Sequence, residues 1–146
     1  QMVADCGYPG MKVFEFAFDS RDSSGTSNYL PYNYTENSVV YTGTHDNETM
    51  IGWLKNILPE ERQMLKDYLH YDGDDDAVLV DMSIDCIMVS DKCIIPMQDY
   101  LKLDNTARMN KPNTLGNNWM WRLDKNAFSD SLKERMRDIT VKTNRI

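Results

Sequence analysis

Ser38-Val39-Val40-Tyr41-Thr42-Gly43-Thr44-His45-Asp46-Asn47 is the stretch on which the fold turns. Its first half is short, apolar and β-branched through the middle, which predicts a buried strand over 38–42. The second half becomes polar at once: a glycine that lets the backbone turn tightly, then a histidine and an aspartate side by side. A helical stretch over 49–57 follows, and Pro59, at a first-turn position, starts a second helix over 59–71. A strand that runs into a polar turn and then into helices is half of a parallel α/β unit.

Reading outward, Gly7-Tyr8-Pro9-Gly10 is a turn, and the aromatic-rich run over 11–18, with Val13, Phe14 and Phe16, predicts another buried strand. Residues 19–37 shift to Ser, Asp, Asn, Tyr and Pro, a loop long enough to be suspected of function. Downstream, Met64, Leu65, Tyr68 and Leu69 share one face of the helix over 59–71. The acidic turn at Asp72-Gly73-Asp74-Asp75-Asp76 is expected to cap a further helix, whose apolar stripe is Val78, Leu79, Met82, Cys86 and Val89. A third buried strand is predicted over 92–97, ended by Pro96. An irregular stretch over 104–126 carries Trp119 and Trp121, and a terminal helix over 129–145 presents Leu132, Met136 and Ile139. The fold class is therefore α/β, with about three parallel strands and helical crossovers. It is either a small α/β layer or the last part of a larger parallel barrel, and periodicity does not choose between them.

Composition narrows the classes of function. The chain has 146 residues, 41% hydrophobic and 27% charged, with seven glycines and five prolines, so disordered and fibrous classes are excluded. No apolar run reaches the roughly 18 residues of a membrane span, and no membrane partner is expected. The opening on Gln1 shows no signal peptide and suggests a piece of a longer protein. The net charge of −7 is concentrated toward the start, with 18 of the 23 acidic residues before position 102. Such a surface repels phosphate backbones, so no nucleic acid is expected as a partner. The more basic remainder is read as a solvated helix face.

Three cysteines (Cys6, Cys86, Cys93) at wide spacing read as free thiols in a reducing cytoplasm. Neither His45 nor His70 lies at zinc spacing from a cysteine pair, and the acidic turn lacks the closing glutamate of a calcium loop. No metal and no cofactor is expected.

The candidate chemistry sits where strands end, the position that carries catalytic groups in α/β barrels. His45 and Asp46 can grip vicinal sugar hydroxyls, the carboxylate accepting while the imidazole donates or accepts beside it. The alternative is a strand-ending turn in which Asp46 or Asn47 caps the following helix. Asp19 is placed after the first strand as Asp46 is after the second, and Arg108-Met109-Asn110 follows the third. Tyr29, Tyr32, Tyr34, Trp119 and Trp121 offer flat faces in the same loops. No nucleophile elbow and no phosphate loop is present.

Several blocks, in order, carry a family resemblance: Pro9-Gly10-Met11-Lys12-Val13, Phe16-Ala17-Phe18-Asp19, Asn28-Tyr29-Leu30-Pro31 and Asn33-Tyr34; then Val39 through Asn47, with Thr49 and Gly52-Trp53; then Ile95-Pro96, Gln98-Asp99, Ala107 through Asn110, Pro112, Gly116-Asn117, and Trp119 with Trp121-Arg122-Leu123. Together they resemble the 4-α-glucanotransferases of the amylomaltase, or disproportionating-enzyme, family over nearly the whole chain. The resemblance implies the C-terminal part of a (β/α)8 barrel of TIM type. It implies a retaining double displacement that transfers α-1,4-glucan segments to glucose or a glucan acceptor. Asp46 matches the carboxylate that stabilises the transition state, His45 its hydroxyl-binding neighbour, and Asp19 and Asn110 positions that contact the sugar chain.

The family's nucleophile and acid/base lie upstream of the Pro-Gly-Met block, so the missing N-terminal part of the same barrel is an expected partner and the isolated chain is expected to be inactive. Two unpaired sheet edges imply that it folds poorly alone. Tyr32 stands where the family often has His. A non-catalytic glucan-binding or assembly module, and a hydrolase of the amylase group, are the alternative functions.

Overall fold

The computed structural model describes residues 5–21 and 28–145. Three short strands, β1 (Gly10–Val13), β2 (Ser38–Tyr41) and β3 (Lys92–Ile94), form one parallel sheet in the order β1-β2-β3. Gly10 is in register with Ser38 and Val13 with Tyr41; Val39 pairs with Lys92 and Tyr41 with Ile94. The α-helices that pack on this sheet or follow it are α1 (Met50–Asn56), α2 (Pro59–Leu69), α3 (Asp76–Ile87), the single turn α4 (Met97–Tyr100) and α5 (Asp130–Lys142).

The first predicted strand stops early. Only Gly10–Val13 is extended, and Phe14–Phe18 winds into a 3₁₀ helix. That helix buries Phe14, Glu15, Ala17 and Phe18 while leaving Phe16 exposed. A short continuous apolar run reads alike in either conformation, because burial on several sides erases the period that would separate them. The third strand is also shorter than 92–97 and is not buried. It borders only β2 among the described residues, and Pro96 ends it by flanking α4. Part of the loop over 19–37, residues 22–27, lies outside the described residues. Its remainder includes a 3₁₀ turn at Pro31–Asn33.

Helix starts follow local chemistry. The Thr49 side chain accepts from the Gly52 N–H to begin α1, Asp75 accepts from Ala77 to begin α3, and Ser129 accepts from Leu132 to begin α5. The acidic turn thus supplies the expected cap, while its neighbours are held by cations: Lys66 Nζ lies 2.8 Å from Asp74 and Arg62 Nη2 2.6 Å from Asp76. Pro59 opens α2, and His70, in the left-handed region at φ 53°, closes it. The helix over 129–145 is shorter than predicted, ending at Lys142.

One apolar cluster joins these elements. Phe14 and Phe18 meet edge-on at 5.1 Å and pack with Val40, Met50, Leu54, Leu65, Leu79, Ile84 and Ile139. Each fully buried side chain of this size contributes about 1.5–3 kcal/mol. The predicted stripe of α3 is displaced: Leu79, Val80, Ser83, Ile84 and Ile87 are the buried residues, while Val78 and Val89 are exposed. Met64 likewise sits outside the α2 core face that Leu65 and Leu69 form. In β2, Ser38 and Val40 are buried while Val39 and Tyr41 are only half-buried, so one sheet face is well covered and the other is not.

Candidate functional site

The loop after β2 is set by its own side chains. Asn47 Oδ1 accepts from the Thr44 N–H at 3.0 Å and from the Thr44 hydroxyl at 2.7 Å, closing a tight polar turn. The Asp46 N–H donates back to Thr44 Oγ1 at 3.3 Å. The helix cap that Asp46 or Asn47 could have supplied is provided instead by Thr49. Asp46 is thereby left for other work, its side chain about half exposed.

Beneath the turn lies a carboxylate at the start of α4. Asp99 Oδ2 accepts from the Thr42 hydroxyl at 2.5 Å and Oδ1 from the Met50 N–H at 2.8 Å. One buried side chain therefore ties the end of β2 to the first residue of α1, the two ends of the segment that carries His45 and Asp46. Burial pushes the Asp99 carboxyl up, and the bonds from Thr42 and Met50 hold it down in part.

Two strand-end loops converge above it. Asn110 Nδ2 donates to Asp46 Oδ1 at 2.6 Å, and the Asn110 N–H donates to the His45 carbonyl at 3.0 Å. Arg108 Nη2 donates to the Asp46 carbonyl at 2.6 Å and its Nε to the Asn110 carbonyl at 2.9 Å, riveting one loop to the other. His45 Nε2 lies 3.4 Å from Asp46 Oδ1, and its ring meets that of Trp119 with centroids 4.9 Å apart. Trp119 is held by its N–H on the Met109 carbonyl at 2.7 Å, in the left-handed region at φ 64°. A bulky residue in that region is strained, a condition that concentrates at functional sites. Thr44, His45, Glu48, Asp99, Arg108 and Trp119 border a cavity of about 210 Å³. A wider groove of about 720 Å³ along β3 and the end of the chain carries none of the candidate residues.

The structure thus brings His45, Asp46 and Asn110 into direct contact. It does not bring Asp19 to them. The Asp19 carboxylate takes Arg21 Nε and Nη2, each at 2.7 Å, which lowers it to about 2, and the adjoining Ser20 bonds Glu61 of α2. Of the loop aromatics, Tyr29 and Tyr34 pack against the core, and burial raises the Tyr34 phenol; Trp119 alone abuts His45. No group of three or more metal-ligating side chains converges among the described residues.

Sequence reasoning placed Asp99 only within a family block and Arg108 only among the strand-end candidates, gave neither its role in holding the loops, and missed Glu15. The signal for Glu15 was a carboxylate flanked by two phenylalanines inside an apolar run. Asp99 carried a weaker one, in the first turn of a helix opened by a proline.

Residues 1–127 match a family model described as 4-alpha-glucanotransferase. The chain is 39% identical over 141 residues to the 4-alpha-glucanotransferase of Streptococcus pneumoniae serotype 4, covering 96% of this chain and 27% of that protein. It is 40% identical to that of Clostridium butyricum, over 92% of this chain and 27% of the relative. A chloroplastic/amyloplastic 4-alpha-glucanotransferase of Arabidopsis thaliana is also 40% identical, over 91% of this chain and 23% of the plant protein. Among solved structures, the amylomaltase of Streptococcus agalactiae in complex with acarbose superimposes with a TM-score of 0.87 at 36% identity, covering 98% of this chain and 28% of that one. The chain spans about a quarter of the length of the relatives it matches.

Proposed function

The chain belongs to the 4-alpha-glucanotransferase family, its fold being a C-terminal part of a (β/α)8 barrel, and we propose that it forms one wall of the site where an α-1,4-glucan is cleaved and transferred. The observation that carries this reading is the convergence of His45, Asp46 and Asn110 from two strand-end loops, with Asp46 pinned at 2.6 Å by Asn110. Barrel enzymes place their chemistry at this end of the strands.

In the proposed mechanism Asp46 accepts hydrogen bonds from sugar hydroxyls at the cleavage point. As positive charge develops on the ring those hydroxyls become more acidic, so the bonds strengthen in the transition state more than in the ground state. Asn110 and Arg108 fix Asp46 in advance, which removes the cost of orienting it during the reaction. His45, braced by Trp119, binds a neighbouring hydroxyl. Asp19 binds the sugar chain further out, its carboxylate ionised throughout the neutral range beside Arg21. The attacking carboxylate and the proton donor come from barrel strands other than these three, so the 146 residues alone are inactive. Acarbose in the related amylomaltase supports an α-glucan as donor and acceptor, and free thiols at Cys6, Cys86 and Cys93 fit the cytoplasm as the compartment.

The experiment is incubation of the full-length protein carrying this segment with maltotriose. A ladder of longer maltooligosaccharides together with glucose is the expected product. Glucose and maltose with no ladder would assign the site to hydrolysis. The isolated chain should give neither.

A further inference from the structure

Glu15 is the most deeply buried carboxyl outside the contacts described so far. It follows β1 in the 3₁₀ helix, its N–H donates to the Thr42 carbonyl at 3.2 Å, and the residue is only 6% exposed. Its Oε1 is one of two buried side-chain polar atoms without a partner among the described residues. A Cβ placed on Gly43 would lie 2.9 Å from that Oε1, 3.2 Å from Glu15 Cδ and 3.2 Å from Asn47 Cβ. The requirement for glycine at position 43 is thus close approach and not a left-handed backbone, since Gly7 and Gly116 are the glycines with positive φ among the described residues. The carboxyl of Glu15 fills the space that a side chain at Gly43 would occupy, directly under the turn bearing His45 and Asp46.

We propose that Glu15 is a positioning residue for the transfer reaction: its carboxyl is the platform on which the segment from Gly43 to Asn47 is seated, and through it Asp46 is aimed. The proposal rests on the catalytic reading of Asp46. A buried polar atom left without a partner costs about 1–3 kcal/mol, and a phenylalanine or leucine would fill the same space without that cost. The length of the glutamate brings its carboxyl beside Gly43, and its polarity lets it meet the Asn47 side chain and Arg108.

The groups around Glu15 say which protonation state seats the turn. Desolvation raises the carboxyl well above the ordinary range, and Asp99 from α4 and Glu48 before α1 raise it further. Arg108 and the Asn47 side chain oppose this more weakly. The neutral acid is therefore the form that fits. The folded state binds this proton more tightly than the unfolded chain does, so the contribution is complete at low pH and is lost as pH climbs through the folded-state value. Above it, a buried anion facing Asp99 and Glu48 must move toward water and take the turn with it.

The test uses the full-length protein with Glu15→Gln, Glu15→Ala and, in parallel, Asp46→Asn. Glu15→Gln, neutral at every pH, should keep kcat for maltotriose transfer within about twofold in mild acid and change the alkaline limb of the pH profile, leaving only the decline set by the proton donor. Glu15→Ala should lower kcat by at least about tenfold, with KM changed less. Amide exchange at Thr44, Asp46 and Asn47 should quicken in Glu15→Ala and not in Glu15→Gln. Unchanged exchange in Glu15→Ala, or a Glu15→Gln pH profile that superimposes on the wild type, overturns the proposal. If Asp46→Asn stays active the catalytic reading fails, yet the exchange result still decides whether Glu15 positions the turn.

Discussion

Removing the Asp99 carboxylate is the sharpest perturbation of the scaffold beneath the site. Asp99 is 1% exposed, and both groups it holds, the Thr42 hydroxyl and the Met50 N–H, belong to residues 0% exposed. In Asp99→Ala each donor is left in a dry interior at about 1–3 kcal/mol apiece. One term reduces the sum: the wild-type carboxyl is itself penalised by burial. The net expectation is a loss of about 2–4 kcal/mol, concentrated at the junction of β2 and α1. Asp99→Asn should cost about 1 kcal/mol, because its amide oxygen can still accept from Met50 while Thr42 turns to accept from the amide nitrogen. The assay is hydrogen exchange at the Met50 amide in the full-length protein, with urea unfolding alongside. Met50 should lose much of its protection in Asp99→Ala and keep most of it in Asp99→Asn. Equal protection in the wild type and Asp99→Ala would refute the claim that this carboxylate staples the loop ends.

Thr49→Ala removes the cap of α1 and should cost about 1 kcal/mol, read as a lower urea midpoint, with Thr49→Ser recovering most of it. An unchanged midpoint would show that Asp99 alone secures that helix start. Phe14→Ala opens the centre of the core and should cost about 3–5 kcal/mol by the same measurement. Arg21→Ala should return Asp19 from about 2 toward the ordinary carboxylate range, followed by carbon-13 titration of the Asp19 carboxyl. Because that value is depressed in the folded state, whatever the pair contributes is present at neutral pH and is lost as pH falls toward 2. An Asp19 titration unaffected by Arg21→Ala would contradict the pairing.

What was legible in the sequence and what was not divide on physical grounds. Strand β2, the cap supplied by the acidic turn and the Pro59 helix start were readable because each is decided by residues adjacent in the chain. The extent of β1 was not, since Phe14 through Phe18 is buried whether extended or wound. The α3 stripe was misplaced because that helix is covered from several directions, which leaves no clean polar face to orient it. For the site, His45 and Asp46 were visible as a polar pair after an apolar strand, and Asn110 as part of a polar stretch after the third strand, to which the family resemblance added a sugar-contacting role. The rivet through Arg108, the staple through Asp99 and the platform under Gly43 depend on contacts between residues 28 to 62 positions apart. Local spacing carries no record of such contacts. Gly43 illustrates the difference: the sequence suggested a tight turn, whereas the structure shows a carboxyl occupying the place of its side chain.

The most direct test of the account is the rate of maltotriose disproportionation by full-length protein carrying Asp46→Asn, measured beside the wild type with circular dichroism to confirm the fold. Asparagine keeps the shape and can keep the contact to Asn110, but it removes the negative charge. The expected result is a fall in kcat of about 10²–10³-fold with the fold intact. A rate within a few-fold of the wild type would contradict the assignment of Asp46 as the transition-state carboxylate.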